Sequence, residues 1–143
     1  MYAFEGPVSS PPEPLPPDLV ARPLAELPDD ARMAMLGAID AAVLGTRRDT
    51  DHAWLGQRGP GWMLSRGPTP IGYAYGGQRQ GPVATLDPAD MPAAIGVVER
   101  EAATRPDEQL SLTVPLANHM ATQYLLRRRY RIDPFTMHLL EDH

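Results

Sequence analysis

The run PVSSPPEPLPP, residues 7–17, constrains the fold more than any other stretch. Each proline fixes φ and removes an amide donor, so the run enters neither a helix nor a sheet interior and reads as an extended connector. Ahead of it stands MYAF, in which Tyr2 and Phe4 alternate like the end of a strand. Residues 1–18 are accordingly read as an extended arm and linker, and residues 19–143 as the folded domain. Residues 1–17 have no evident place in one domain. This predicts that they pair with a neighbour's sheet edge, in a homodimer, or with an upstream domain of similar architecture.

A chain of 143 residues that is 43% hydrophobic has enough apolar surface for one core. No run of eighteen apolar residues and no basic, apolar leader is visible, so the expectation is a cytoplasmic protein with no membrane span. The absence of cysteine excludes disulfides, thiolate metal ligands and a cysteine nucleophile. All 13 basic residues are arginine, which excludes Schiff-base lysine chemistry and a lysine P-loop. A net charge of −5 argues against nucleic-acid binding. The cluster RRRYR at 127–131 admits two readings, a solvated helix end whose cations favour the dipole or an anion-binding patch. His52, His119, His138 and His143 share no ligand spacing, so no metal site is expected.

Periodicity sets out the remaining elements. LVARPL at 19–24 predicts a strand. Asp29 or Asp30 caps a helix running to about Leu44, with Leu36, Ile39 and Val43 among its apolar positions and Gly45 as its stop. A loop and a short second helix follow in RRDTDHAWLG, for which Thr50 or Asp51 is the natural cap. GWMLSRG and PIGYAYGG predict two strands about a Gly67-Pro68 turn, with Ile71, Tyr73 and Tyr75 on one face. GPVATL at 81–86 predicts a strand leading into a helix that reaches about Thr104. QLSLTVPL alternates Leu110, Leu112, Val114 and Leu116 as a strand, Asn118 caps the next helix, and PFTMHLLE closes as a strand through Phe135, Met137 and Leu139. The order from residue 19, β-α-α-β-β-β-α-β-α-β, predicts an α/β fold with a mixed sheet flanked by helices.

DPADMPAAIG, residues 87–96, lies at a strand-to-helix junction, where free amides can bind an anion. This order, with LDPADMPAAIGVV and NHMATQYLLRRRY, resembles the GNAT superfamily of acetyl-CoA-dependent N-acetyltransferases over roughly residues 19–142. The long linker and RRDTDHAWL further resemble the second, degenerate half of tandem GNAT proteins. The resemblance implies that Leu86, Ala94, Ile95, Gly96 and Asn118 face acetyl-CoA or CoA. It also places Met91 where the family has Arg or Gln, and Ala94 where it has the first Gly; Gly96 matches the last. Pro92 removes one further amide. Two lost charge-assisted hydrogen bonds, about 1.5–3 kcal/mol each, would weaken pyrophosphate binding by roughly a hundred- to ten-thousand-fold. Asp87 and Asp90 account for the same residues without a ligand, as caps of a helix with proline in its first turn. In the late helix the family's acidic tyrosine falls on Leu125, while Tyr124 is rotated by about a hundred degrees. The family's Gly-Phe pair becomes Arg129-Tyr130.

Two functions follow from the resemblance. The first is a GNAT-like module with a degenerate cofactor loop, non-catalytic or weakly active, that supports a partner or holds a small-molecule ligand. The alternative is an active acetyl-CoA-dependent N-acetyltransferase on a small amine. Candidate catalytic residues are Tyr124, Tyr130 and His52. Arg48, Asp51, His52, Tyr73 and Tyr75 are the substrate candidates, with His52 as base. The competing reading of RRDTDHAW is structural, with Asp51 a cap, an arginine paired with it, and a surface histidine beside a packed Trp54.

Overall fold

The computed structural model describes residues 2–8, 12–78, 80–105, 109–114 and 117–132. Two antiparallel sheets take the place of the single mixed sheet expected from the order of elements. The first runs β2 (Leu19–Pro23), β3 (Gly61–Arg66), β4 (Thr69–Tyr75), β5 (Val83–Thr85), each strand paired with the next. In the second, β1 (Tyr2–Pro7) lies between β6 (Gln109–Val114) and β7 (Arg131–Ile132). The helices among the described residues are α1 (Asp29–Leu44), α2 (Asp49–Arg58), α3 (Met91–Ala103) and α4 (His119–Arg127). The closing strand expected at 134–141, with His138 and His143, lies outside the described residues, as do Pro115 and Leu116.

The placement of β1 differs most from the sequence reading. Tyr2 pairs with Val114 and Phe4 with Leu112, while Phe4 and Glu5 pair on the other side with Ile132 and Arg131. Phe4 is fully buried among Leu110, Leu112, Leu125 and Tyr130. The segment read as a free arm is thus the middle strand of a sheet in its own chain, and a partner-pairing arm at residues 1–17 loses its basis. Sequence alone could not place it, because six residues carry no record of a partner strand so distant in the chain. Residues 12–18 then carry the chain from one sheet to the other.

The first sheet is covered on both faces, and the five residues from Ile71 to Tyr75 in β4 are all buried. On one face α1 and α2 enclose Leu24, Leu36, Ile39, Met63, Tyr73 and Tyr75. On the other, α3 places Ile95, Val98 and Ala102 against Leu64, Ala74 and the second sheet. Each buried Val, Leu, Ile or Met side chain contributes about 1.5–3 kcal/mol. The expected shared face of Ile71, Tyr73 and Tyr75 fails at a β-bulge. Leu64 pairs with Gly72 and Ser65 with Pro70, so Ile71 is an extra residue on β4. The alternation shifts there, and Ile71 joins the α3-side core while both tyrosines face α1 and α2.

Helix ends follow the sequence in part. Gly45 stops α1 at φ 79°, and the Asn118 Oδ1 accepts from the Ala121 amide at 3.2 Å. Asp29 begins α1 as a helical residue and pairs with Arg32 at 2.7 Å instead of capping. Likewise α2 begins at Asp49, with Arg48 in the cap position and neither Thr50 nor Asp51 capping. The RRRYR cluster is split between roles: Arg128 binds a buried carboxylate, and Arg129 turns out of α4 at φ 66°.

Candidate functional site

Asp40 organises the densest polar cluster of the fold. It sits on α1 next to Ile39 and four residues after Leu36, on the face turned to the sheet, and is fully buried. Its Oδ1 accepts from the Tyr73 hydroxyl at 2.6 Å, and its Oδ2 from His52 Nε2 at 2.8 Å. Arg48 spans both oxygens, with Nε to Oδ2 at 3.2 Å and Nη2 to Oδ1 at 3.4 Å. The same Nη2 donates to the Tyr73 oxygen at 2.6 Å. His52, on α2, closes the chain with Nδ1 at 2.8 Å from the Tyr75 hydroxyl.

His52 joins the two halves of the cluster, with one ring nitrogen against the Asp40 carboxylate and the other against the Tyr75 hydroxyl. Burial drives the Asp40 carboxyl up, but the hydrogen bonds from Tyr73, Arg48 and His52 outweigh it and hold the group below its usual range. Burial pushes Tyr75 up to about 12, and Tyr73 rises further because it also donates to Asp40. One carboxylate and one guanidinium share the buried cluster, with His52 between Asp40 and Tyr75.

His52 and Tyr75 form one end of a cavity of about 630 Å³ below α1 and α2. Its walls are mainly apolar, including Leu24, Leu36, Pro60 and Trp62. At the rim Arg32 is engaged by Asp29 and donates to the Leu24 carbonyl at 3.4 Å. A pocket of 300–1,000 Å³ with few, placed polar groups is the usual form of a small-molecule site.

A second cavity, about 450 Å³, lies where the two sheets part between β5 and β6. Met91, Ile95, Asn118 and Ala121 line it, and among the described residues no charged side chain does. Gln80 lies in this gap, donating to the Gln109 carbonyl at 3.3 Å and accepting from the Ser111 amide at 2.8 Å.

At the start of α3 two acids and a proline occupy the junction. Asp87 accepts from the Ala89 amide at 2.9 Å, and Pro92 occupies the first turn. Asp90 leaves the capping role and pairs with Arg66 at 3.0 and 3.3 Å, a guanidinium that also holds Asp18 at 2.6 Å. Residues 13–16 cross the same face beside Pro92, Ala93 and Gly96, and the Glu13 carbonyl accepts from Arg100 at 3.0 Å. The Pro-rich connector covers the approach to the helix start.

The other candidates separate. Ile95 and Asn118 line the cleft between the sheets, whereas Ala94 is core and Gly96 faces the connector. Leu86 is half exposed, and its amide is committed to the Ile71 carbonyl at 2.8 Å. Tyr124 and Tyr130 both donate to Glu99, a fully buried residue of α3, and Arg128 completes that site at 2.8 Å. Burial and Glu99 push both phenols up, and neither lines the cleft. Arg48, His52, Tyr73 and Tyr75 do converge. Asp51 stays exposed on α2 outside the cluster, and His52 is buried where the structural reading put it on the surface. Trp54 is 55% exposed under Arg58, the reverse of the packed position expected for it.

Asp40 and Glu99 were the residues missed. Each interrupts an apolar stripe, four residues after Leu36 and Ile95 respectively, and a carboxylate in that position is the signal that could have found them. Among the described residues no three His, Asp or Glu side chains gather as a metal site, and no helix is long and apolar enough to cross a membrane.

Fold and cavities together define an α/β protein with a mainly apolar cavity on one side of its first sheet. No protein-family model matches the chain, and no curated protein matches it in sequence.

Proposed function

We propose that this chain is a GNAT-like module that has given up acetyl-CoA transfer and holds a small ligand in the cavity under α1 and α2. The GNAT-like part of the reading draws support from the order β2 to α4 and from the parting of β5 and β6 beside α3. The observation that carries the loss of transfer is the start of α3. There Asp90 is paired with Arg66, Pro92 removes an amide, and residues 13–16 lie across the helix. An incoming pyrophosphate would meet a paired carboxylate, a proline and a covered surface in place of free amides.

One observation favours the transferase alternative. The Asp40–His52–Tyr75 chain has the linked geometry by which a carboxylate and imidazole take up a proton from a hydroxyl. Calorimetric titration of acetyl-CoA and free CoA at low salt separates the two. The module reading expects no binding at millimolar cofactor. Micromolar binding overturns it, and acetyl transfer to small amines, lost on His52→Gln, would then establish the enzyme.

A further inference from the structure

The 450 Å³ cleft is flanked by two edge strands, β5 of the first sheet and β6 of the second. Along a strand the N–H and C=O groups of successive residues turn to opposite sides. The Gln109 carbonyl and the Ser111 amide bond to Gln80, so the odd-numbered residues of β6, Thr113 among them, turn these groups away from β1 and toward the cleft. On β5 the Pro82 carbonyl and the Leu86 amide bond to β4, and the alternation turns those of Val83 the other way.

The side chain of Gln80 fills one rung of the β6 edge. Its Nε2 donates to the Gln109 carbonyl at 3.3 Å and its Oε1 accepts from the Ser111 amide at 2.8 Å. The two backbone partners fix which end of the carboxamide is which, since a carbonyl accepts and an N–H donates. This is the pair of bonds that a residue of a parallel strand makes opposite Leu110. The next rung consists of the Ser111 carbonyl and the Thr113 amide, on residues that line the cleft. Among the described residues neither group has a partner on that side, and unpaired edge groups of this kind are a template for another extended chain.

We propose that an extended segment of a partner polypeptide adds to the β6 edge in this cleft, parallel to β6, with one of its residues on the Ser111–Thr113 rung. An extended peptide carries donors and acceptors along both of its sides, which suits a gap with β6 on one side and Val83 of β5 on the other. Met91 and Ile95 of α3 and Ala121 of α4 supply apolar contact. Gln80 closes the end of the same edge and sets where the added strand can begin.

The blocked tripeptide acetyl-alanyl-valyl-alanine methylamide tests this against its counterpart with ester oxygens in place of the amide nitrogens, in titrations followed by NMR of the full chain. At a peptide concentration about ten times its Kd, exchange of the Thr113 amide is expected to slow about tenfold. The ester, which keeps the shape but has no N–H to donate, is expected to bind at least about two- to tenfold more weakly. Thr113→Pro removes the amide that faces the cleft and spares the ladder to β1, and should weaken the peptide by at least a similar factor. Equal binding of peptide and ester, protection that falls elsewhere than Thr113, tighter binding of pantetheine than of the peptide, or no binding of the peptide overturns the proposal. So does a Thr113 amide that exchanges in the free protein as slowly as that of Leu112, since the edge is then covered from within the chain. The ester comparison uses the unaltered protein, so it decides the matter even where Thr113→Pro does not fold. The cavity under α1 and α2 shares no lining residue with this cleft, so the ligand reading of that cavity and the present proposal fail separately.

Discussion

Replacing Asp40 with asparagine should unfold this protein at markedly lower denaturant, and the reason is geometric. Each carboxylate oxygen receives a nitrogen of Arg48, Nε on one and Nη2 on the other. Whichever way the asparagine amide is turned, its NH2 group faces an Arg48 N–H, donor against donor. The ion pair is lost and a largely covered guanidinium is left behind, a change that costs about 3–5 kcal/mol when the site is fully buried. Arg48 keeps 29% of its side chain exposed, which moves the expectation to the lower end, about 3 kcal/mol. That is a large part of an ordinary domain stability of about 5–15 kcal/mol. Urea unfolding followed by circular dichroism measures it, with an unchanged slope showing that the folded state is intact. Asp51→Asn, on the exposed face of α2, is the control and should lie within about 0.5 kcal/mol of the unchanged protein. The Asp40 pKa is lowered in the fold, so its contribution is present above about pH 4 and is lost as the pH falls through the depressed value. Asp40→Asn should remove that part of the acid limb. A variant within about 0.5 kcal/mol of the parent would refute the role given to this cluster.

Glu99→Gln, which weakens the site shared by Tyr124, Tyr130 and Arg128, should cost about 3 kcal/mol in the same assay. Gly72→Ala should destabilise by about 1–3 kcal/mol, because a Cβ there would stand 2.5 Å from the Ala84 carbonyl oxygen on β5. Tyr75 ionises near 12 in the fold against about 10 unfolded, so its share of stability is whole below pH 10 and is lost between those values. About 2–3 kcal/mol should disappear there, read as a fall in the urea midpoint that Tyr75→Phe diminishes.

Most elements were legible because their signals are local. The Gly45 stop, the Asn118 cap and the alternation of Leu110, Leu112 and Val114 each act within a few residues. Ile71 was misplaced because a bulge reverses alternation without leaving a compositional trace. At the site, His52, Arg48, Tyr73 and Tyr75 were drawn from two stretches, but nothing local tied them together. Their link is Asp40, one acid on an apolar helix stripe, and its meaning emerges only when α1 lies on the sheet. Tyr124 and Tyr130 were drawn to catalysis by motif position, and Glu99 claims both instead.

The middle position of β1 also sets an order of events. During synthesis β1 is made before either of its partners, and Tyr2 must wait for Val114. At about 5–20 residues per second that wait is roughly 5–20 seconds, during which a strand holding Phe4 has neither neighbour to pair with. The first sheet has all of its strands long before then. Completion of the second sheet is therefore the late step of folding, and a nascent chain halted before β6 would present β1 to whatever strand edge it meets first.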